Sequence, residues 1–571
     1  MNAPPKSSAA SASADEANSL DEPQATAKQS LVALLVLMAI ALITFFFGLG
    51  RIALLGYDEP RYAEIAREMF TSGDWISPRL CGCLWFEKPA LVYWMSAVGY
   101  QAFGVSEFAA RVGVAIAATA TILLLYYVTR RVASPRMAFF TSLVLATCGM
   151  FIGYARVASP DMPLAATMTA ALLAGFVATQ ANGQMRARCW TISFAAMGLA
   201  VLAKGLPGVA LVVCSFVIYF IWQRRADLIN WRELISGALV FLLIAAIWYA
   251  PVTMRHGWEF IHEFFIRHHF QRYTSNEFGH PQRFYFFLLI GIAGIAPWSA
   301  FLIPAIARLK GLQPRRDRRD AFVAFAWVWA AVVIIFFSFS GSKLPGYILP
   351  AFPALAIIVG DQIDRYVGGA RDWLTPAAAW TTALLIALIA GGFAVYLHRE
   401  GITADGFCVI AYILPVALAL AALAALITGR RGGFILGATG VMASLIACAV
   451  IALAPKLSDE LTLKQLSLEA AAALRPGERI AFFVCKEYAP VFYAQGRVVC
   501  GIGETDVLNA LSEETLADAL RREPSFVVIT TEKWRGGLEQ NGRFTTQVVV
   551  EQRDALALRV SLKPQERRND E

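Results

Sequence analysis

One short polar stretch interrupts an otherwise apolar chain. It runs Tyr57-Asp-Glu-Pro-Arg-Tyr-Ala-Glu-Ile-Ala-Arg-Glu-Met69, then Ser72-Gly-Asp-Trp75 and Phe86-Glu-Lys-Pro89. Its carboxylates are Asp58, Glu59, Glu64, Asp74 and Glu87, and its cations are Arg61, Arg67, Arg79 and Lys88. Charged groups beside a bilayer are costly to hide, so they face water, a partner charge or a substrate. Further along, Asp161, Lys204, Arg272, Lys343, and the hydroxyls of Tyr57, Tyr62, Tyr273 and Tyr347 stand at the edges of apolar runs. Arg and Lys make charge-assisted bonds to phosphate oxygens. Carboxylates beside them suit a hydroxyl-rich or cationic group, or a metal. Together the set suits a lipid-phosphate-linked sugar, with the phosphate on the cations, the sugar on the carboxylates and the tail among helices.

Each residue also has a plainer reading. Asp58 with Arg61 could be an interfacial ion pair or a helix cap. Glu64 and Arg67, at i, i+3, read as a surface pair. Lys88 before Pro89 could be a snorkelling anchor, and Lys343 a turn residue. His262, His268 and His269 in one loop could bind metal, but interface histidines are commoner, and Tyr and Trp near helix ends read as an aromatic belt. The functional reading rests on the sum.

These groups need elements to hold them. The chain has 571 residues, 57% hydrophobic and only 16% charged, against about 25% charged in a soluble protein. Apolar runs at 31–50, 108–128, 137–155, 162–180, 190–203, 206–222, 234–251, 284–306, 321–340, 346–361, 376–397, 407–428 and 433–453 predict about thirteen membrane crossings. The stretch 89–104 starts at Pro89 and ends at Gly104, and predicts an interfacial helix. With the N-terminus inside, the short loops bearing Arg130, Arg131, Arg136, Arg186, Arg188, Arg224, Arg225, Arg308, Lys310, Arg315, Arg365 and Arg430 all fall on one side. That is the positive-inside pattern. It accounts for the net charge of +8 without nucleic acid. It also places the polar stretch on the opposite side, which in a bacterial inner membrane is the periplasm.

Residues 1–28 read as a disordered cytoplasmic tail and 29–455 as the membrane domain, with its first periplasmic loop at 51–107. Residues 456–571 read as a small soluble periplasmic α/β domain, with β-rich runs at 480–484, 497–500, 525–530 and 546–550 and a helix over 506–522. On that side Cys485 and Cys500 could pair.

The polar stretch, with Asp161-Met-Pro163, Leu202-Ala-Lys-Gly205, His269-Phe-Gln-Arg-Tyr273 and Ser342-Lys-Leu-Pro-Gly-Tyr-Ile-Leu349 in this order, resembles the bacterial aminoarabinose transferases. These are integral-membrane glycosyltransferases of the C-type fold, related to protein O-mannosyltransferases. The resemblance implies a polytopic α-helical membrane protein of about thirteen transmembrane helices with a small C-terminal periplasmic domain. It implies transfer of 4-amino-4-deoxy-L-arabinose from undecaprenyl phosphate to lipid A, no nucleotide cofactor, and resistance to polymyxin. Carried over, Lys88, Arg272 and Tyr347 match carrier-phosphate positions, and Asp58 and Asp161 the two acidic positions. Arg61 and Tyr62 lie within the same first-loop motif. Glu87 and His269 match positions for a divalent ion, zinc or magnesium, and Lys204 and Lys343 match family cations. Gly346 departs from the family, which carries a small hydroxyl residue there, and is expected to loosen the tyrosine loop. A related enzyme using a polyprenyl-phosphate hexose on a protein or glycan acceptor is the main alternative. A lipid-linked-substrate transporter fits less well, because transporters place polar sites at the midplane in paired repeats, whereas these charges gather at one face.

Overall fold

Backbone that leaves water must satisfy its own N–H and C=O groups, and helices do so within one segment. In the computed structural model the apolar runs are mostly helical. The structure describes residues 27–224, 230–271, 282–315, 317–402, 406–485, 487–499, 512–540 and 542–564. Its helices are α1 (Ala27–Ala41, continued to Phe46), α2 (Asp58–Ser72), α3 (Leu91–Phe103), α4 (Glu107–Val132), α5 (Pro135–Thr147), α6 (Gly149–Ala155), α7 (Asp161–Gln180), α8 (Gly183–Lys204) and α9 (Pro207–Gln223). There follow α10 (Trp231–Ile261), α11 (Phe286–Gly294), α12 (Leu302–Arg308), α13 (Arg318–Ser338), α14 (Phe352–Val367), α15 (Leu374–Arg399), α16 (Gly406–Ile427) and α17 (Arg431–Leu461).

Among the described residues nine helices are long and apolar enough to cross a membrane. Two bent pairs, α5 with α6 at 64° and α11 with the helical stretch 298–311 at 110°, bring the number to eleven. The other two expected positions hold α8 and α9. The first carries Arg186 and Arg188 near its start, and the second has only 17 residues. Among the described residues, length and composition thus support nine to eleven of the about thirteen expected crossings.

The polar segment after the expected 234–251 span is not an open loop. Helix α10 continues to Ile261, with a break at Gly257 (φ 54°), and helical turns run on to Gln271. The cause is aromatic packing: Phe260 and Phe264 are buried with Trp248, Val252 and Phe86. The expected interfacial helix is present as α3, between α2 and α4.

After α17 come α18 (Lys464–Ala472), α19 (Ala489–Tyr493), α20 (Glu513–Arg522), α21 (Glu532–Gln540) and a four-stranded sheet. A two-stranded ribbon in the first loop, β1 (Arg79–Leu80) and β2 (Cys83–Leu84), precedes it. The sheet strands are β3 (Arg479–Phe482), β4 (Phe526–Thr531), β5 (Phe544–Gln552) and β6 (Ala555–Leu562), in the order β3-β4-β6-β5. Strands β3 and β4 run parallel and the other pairs antiparallel. Val498 adds an isolated bridge to Ile480. The first part of the expected 506–522 helix lies outside the described residues.

One face of this domain packs on the first loop. Ile480, Val491, Phe492 and Val527 share a buried cluster with Tyr62, Ile65, Met69 and Tyr93. Polar ties reinforce it. Leu54 N donates to Tyr493 Oη (2.9 Å), Tyr493 Oη donates to Glu107 Oε1 (3.1 Å), and Lys464 Nζ pairs with the same carboxylate oxygen (2.5 Å). The Cys485–Cys500 bond is not formed: Cys485 is a free thiol and Cys81 is the disulfide-bonded residue. Burial pushes the Cys485 thiol up to about 12, consistent with an inert position among apolar neighbours.

Candidate active site

Helix α2 brings the first-loop charges together. It begins at Asp58 and ends where Gly73 turns left-handed (φ 72°) and returns its N–H to Met69 O. Its start is fixed by a buried ion pair. Glu59 accepts from Arg111 Nε and Nη2, each at 2.7 Å, and both side chains are within 2% of full burial. Glu59 also accepts from Leu55 N (2.7 Å) and Ala158 N (2.8 Å). Arg111 donates further to the carbonyls of Leu49, Ile52 and Ala53. One pair thus ties the end of the first crossing, the start of α2, helix α4 and the turn before α7.

On this footing Asp58 Oδ1 accepts from Arg61 Nη2 (2.5 Å), while the Asp58 side chain stays 54% exposed. Arg61 Nη2 also lies 3.0 Å from Glu87 Oε2, and Lys88 Nζ donates to Glu87 Oε1 at 3.0 Å. The Arg61 guanidinium lies 5.3, 5.5 and 5.4 Å from the ring centres of Tyr62, Trp85 and Tyr488. Cation–π contact of this kind holds a partly desolvated guanidinium in place. Burial opposes the Arg61 charge, but Glu87 and Asp58 prevail and hold its proton more firmly than usual. Burial, with the Glu87 charge next, pushes the Tyr62 and Tyr93 phenols well above their ordinary range, so both remain neutral donors. The Tyr93 hydroxyl is buried and has no hydrogen-bond partner among the described residues.

A second cluster stands at the ends of a helix hairpin. Helices α7 and α8 form a hairpin of 20 and 22 residues, so the first residue of one and the last of the other return to the same level. Asp161 at the N-terminus and Lys204 at the C-terminus each suit their helix dipole, and the two pair directly. Lys204 Nζ also lies 4.5 Å from the Tyr347 ring centre. Tyr347 packs beside Phe337 and Phe287. Glu59 ties the two clusters together, since it adjoins Asp58 and accepts from Ala158 N, three residues before Asp161.

Lys343 is buried and donates to Ser340 O (2.6 Å), a bond within its own turn. Gly346 does not loosen the tyrosine loop, as its departure from the family suggested. A Cβ there would lie 2.6 Å from Tyr154 Oη and 2.7 Å from Asp161 Oδ2, so glycine permits a close approach of backbone to the site. Glu64 and Arg67 are not a surface pair either. Glu64 is 1% exposed and accepts two bonds from Arg67, at 2.6 and 2.7 Å, under the C-terminal domain. Lys88, 12% exposed, is no snorkelling anchor. Arg272, Tyr273 and the His269 side chain lie outside the described residues.

Of the expected divalent-ion pair, Glu87 lies among the described residues and the His269 side chain outside them. Among the described residues no three His, Cys, Asp or Glu side chains converge on a point. Both Glu87 oxygens already face cations, Arg61 and Lys88. A cavity of about 350 Å³ opens between the first loop and the C-terminal domain, lined by Tyr57, Asp459, Glu460, Glu487 and Asp554 among others. Its acidic lining does not suit a phosphate. Burial raises the Glu487 carboxyl above the usual range, and the Tyr57 hydroxyl bonds to it.

The first-loop motif did not point to Arg111, Tyr154, Trp85 or Tyr488. Arg111 alone left a trace, as a charge inside an apolar run.

With this geometry in view, the comparisons can be placed. Residues 87–249 match the family model of dolichyl-phosphate-mannose-protein mannosyltransferase. The whole fold matches the crystal structure of ArnT from Cupriavidus metallidurans bound to undecaprenyl phosphate, with TM-score 0.76 and 27% identity over 92% of this chain and 97% of that one. The fold is that of a C-type membrane glycosyltransferase. The apo state of the same protein matches equally well, TM-score 0.76 at 26% identity over 94% of this chain and 98% of that one. The undecaprenyl phosphate-α-4-amino-4-deoxy-L-arabinose arabinosyl transferase of Pseudomonas paraeruginosa is 34% identical over 315 residues, 54% of this chain and 55% of its own length. That of Erwinia tasmaniensis is 32% identical over 316 residues, 54% of this chain and 56% of its own length. The aligned part thus spans a little over half the length of these curated relatives.

Proposed function

We propose that this chain transfers 4-amino-4-deoxy-L-arabinose from undecaprenyl phosphate to a lipid A phosphate, at the periplasmic face of a bacterial inner membrane. The observation that carries the reading is the two clusters, Asp58–Arg61–Glu87–Lys88 and Asp161–Lys204–Tyr347, inside a fold shared end to end with a protein crystallised with undecaprenyl phosphate. In each cluster the described charges cancel. Paired carboxylates and cations suit a donor that carries both an ammonium and a phosphate, because each finds a partner of opposite charge. An amino sugar on a phosphodiester is such a donor: its ammonium meets a carboxylate while its phosphate meets Lys88 or Lys204. What favours the amino sugar over the hexose alternative is the likeness to the aminoarabinose transferase of Pseudomonas paraeruginosa, at 34% identity over 315 residues.

In the reaction the lipid A phosphate oxygen bonds to the anomeric carbon as the bond from that carbon to the carrier phosphate oxygen breaks. The leaving phosphate takes the electron pair. Cations placed where that charge develops supply the largest share of such catalysis; Lys88, with Arg272, is assigned this role. An anionic acceptor needs no strong general base. Asp58, one oxygen on Arg61 and more than half exposed, is assigned to hold the sugar ammonium. Asp161 orients Lys204. The direct displacement inverts the anomeric centre, and added aminoarabinose lowers the negative charge of the outer membrane, which is the basis for polymyxin resistance.

Mass spectrometry of lipid A tests this, in cells lacking their own transferase and expressing the intact chain or Asp58→Ala. The intact chain is expected to restore the aminoarabinose increment and Asp58→Ala to abolish it. Unchanged lipid A with membrane-inserted intact chain would overturn the assignment of donor and acceptor. Retained anomeric configuration would overturn the displacement.

A further inference from the structure

Three arginines meet at the turn where the first crossing ends. The last helical turn of α1 stops at Phe46, and carbonyls at a helix end have no partner in their own helix. Arg156, in the turn between α6 and α7, supplies one: its Nη1 donates to Thr44 O (3.1 Å) and its Nη2 to Phe47 O (2.9 Å). Arg111 holds the next carbonyls, Leu49, Ile52 and Ala53, and is paired with Glu59. Arg51 closes the turn, its N–H donating to Gly48 O (3.0 Å). Its side chain lies over Gly48, where a Cβ would stand 3.4 Å from Arg51 Cδ.

Of the three, Arg111 alone has a carboxylate. Among the described residues neither Arg51 nor Arg156 forms an ion pair; Arg51 is exposed and Arg156 half-buried. Burial, and then the charge of Arg111, push the Arg156 guanidinium down to about 10. The carbonyl bonds take up donors of a guanidinium that has five, and they neutralise none of its charge. At the candidate active site Arg61, Lys88 and Lys204 each face a carboxylate. This turn is left with two positive charges, so an anion would stabilise it. The surroundings suit a lipid: Leu42, Ile43 and Phe47 of the first crossing are 54%, 39% and 41% exposed. The chemistry is close by, because Asp161 follows Arg156 by five residues, a reach of at most about 18 Å.

We propose that Arg156 and Arg51 hold the phosphate of the lipid A acceptor that does not react, with acyl chains along Phe47 and Ile43. Lipid A carries a phosphate at each end of its sugar disaccharide. One can meet the anomeric carbon while the other rests on the two unpaired cations. A phosphate monoester carries about −1.5 to −2 at neutral pH and matches both arginines, whereas a phospholipid diester offers a single negative charge. The inference rests on lipid A as the acceptor.

Binding tests this apart from transfer. The full-length protein in detergent is titrated with bisphosphoryl lipid A, with each of its two monophosphoryl forms and with phosphatidylglycerol, and the lipid retained is read by native mass spectrometry. Arg156→Gln is expected to weaken bisphosphoryl lipid A about tenfold, the loss of one bond to a charged group. Arg51→Gln, at an exposed charge, is expected to weaken it about threefold, and it decides the matter if Arg156→Gln does not fold. Each folded variant should still bind one of the monophosphoryl forms as tightly as the unaltered protein does. Equal weakening of both monophosphoryl forms would overturn the phosphate contact. Equal weakening of phosphatidylglycerol would overturn lipid A as the occupant, and unaltered binding of bisphosphoryl lipid A by the folded variants would overturn the site. Lipid A bound in this way but never modified would sink the proposed transfer and leave the phosphate site standing.

Discussion

Replacing Glu59 by glutamine asks whether one buried carboxylate fixes the geometry of both clusters. Each of its oxygens accepts two bonds, Oε1 from Arg111 Nε and Ala158 N, Oε2 from Arg111 Nη2 and Leu55 N. Whichever oxygen becomes an amide NH2, one guanidinium donor and one backbone N–H lose their acceptor. Each orphaned buried group costs about 1–3 kcal/mol, and breaking a buried pair costs about 3–5 kcal/mol. Against a folded-state margin of about 5–15 kcal/mol that is a large loss. Arg111→Met is expected to cost at least as much, because it also orphans the carbonyls of Leu49, Ile52 and Ala53. The double variant is expected to cost less than the sum, since no unpaired charge remains. Unfolding of the purified protein in mixed micelles, followed by tryptophan fluorescence, measures these losses. Transfer by the folded fraction should fall as well. Asp58 adjoins Glu59, Ala158 stands three residues before Asp161, and a displacement of about 1 Å can cost about 100-fold in rate. A Glu59→Gln protein that loses less than about 1 kcal/mol and keeps its transfer rate would refute the reasoning.

Other outcomes follow from the same contacts. Burial pushes the Glu64 carboxyl from 4.5 up to about 7 against the opposing Arg67 bonds. Between those values the folded state keeps a proton that the unfolded chain has released. The stability from this group is therefore full below about pH 4.5 and is lost as pH rises to about 7, about 3 kcal/mol in all. Glu64→Gln is expected to flatten that part of a pH series of unfolding, and an unchanged slope would count against it. Gly346→Ala places its Cβ against the ends of the Tyr154 and Asp161 side chains. Those ends can swing aside, so stability should change little while transfer falls about tenfold; equal transfer rates would show the close approach to be incidental. Tyr488→Ala removes one of the three rings around Arg61, a contact worth about 0.5–2 kcal/mol. It should raise KM for the donor more than it lowers stability, and an unaltered KM would place Tyr488 in packing alone.

What the sequence made legible was what is local. Hydropathy located the helices because a crossing needs an unbroken apolar run, and the run Asp58–Met69 became one helix because its turn, cap and spacing all lie within fifteen residues. Partners distant along the chain left no such signal. Nothing in the spacing ties Glu59 to Arg111, or Arg61 to Tyr488 in another domain. Glu64 and Arg67 were found as a pair, but the i, i+3 rule tells which residues meet and not what covers them. Strand β6 escaped notice because Ala-Leu-Ala-Leu suits a helix as readily as a strand, and only pairing with β4 and β5 decides it. Gly346 misled for a related reason: a missing side chain reads as slack, whereas here it is the condition for contact.

The two clusters sit on different elements, and this bears on how the site works. Asp58 rides on α2 in the first loop, whereas Asp161 and Lys204 ride on a membrane hairpin. Left alone, their separation would follow every shift of the loop on the bundle. Glu59 removes that freedom by accepting from Ala158 N at the foot of α7 while gripping Arg111 in α4. The C-terminal domain holds the other side, through Tyr488 over Arg61 and Tyr493 between Leu54 and Glu107. The cations and carboxylates therefore stand in position before any substrate arrives. Fixed charges of this kind act on a developing phosphate charge without first having to reorganise. On that account substitutions in the two ties should lower the rate of the chemical step, whereas loss of Lys88, which meets the ground-state phosphate as well, should weaken donor binding too.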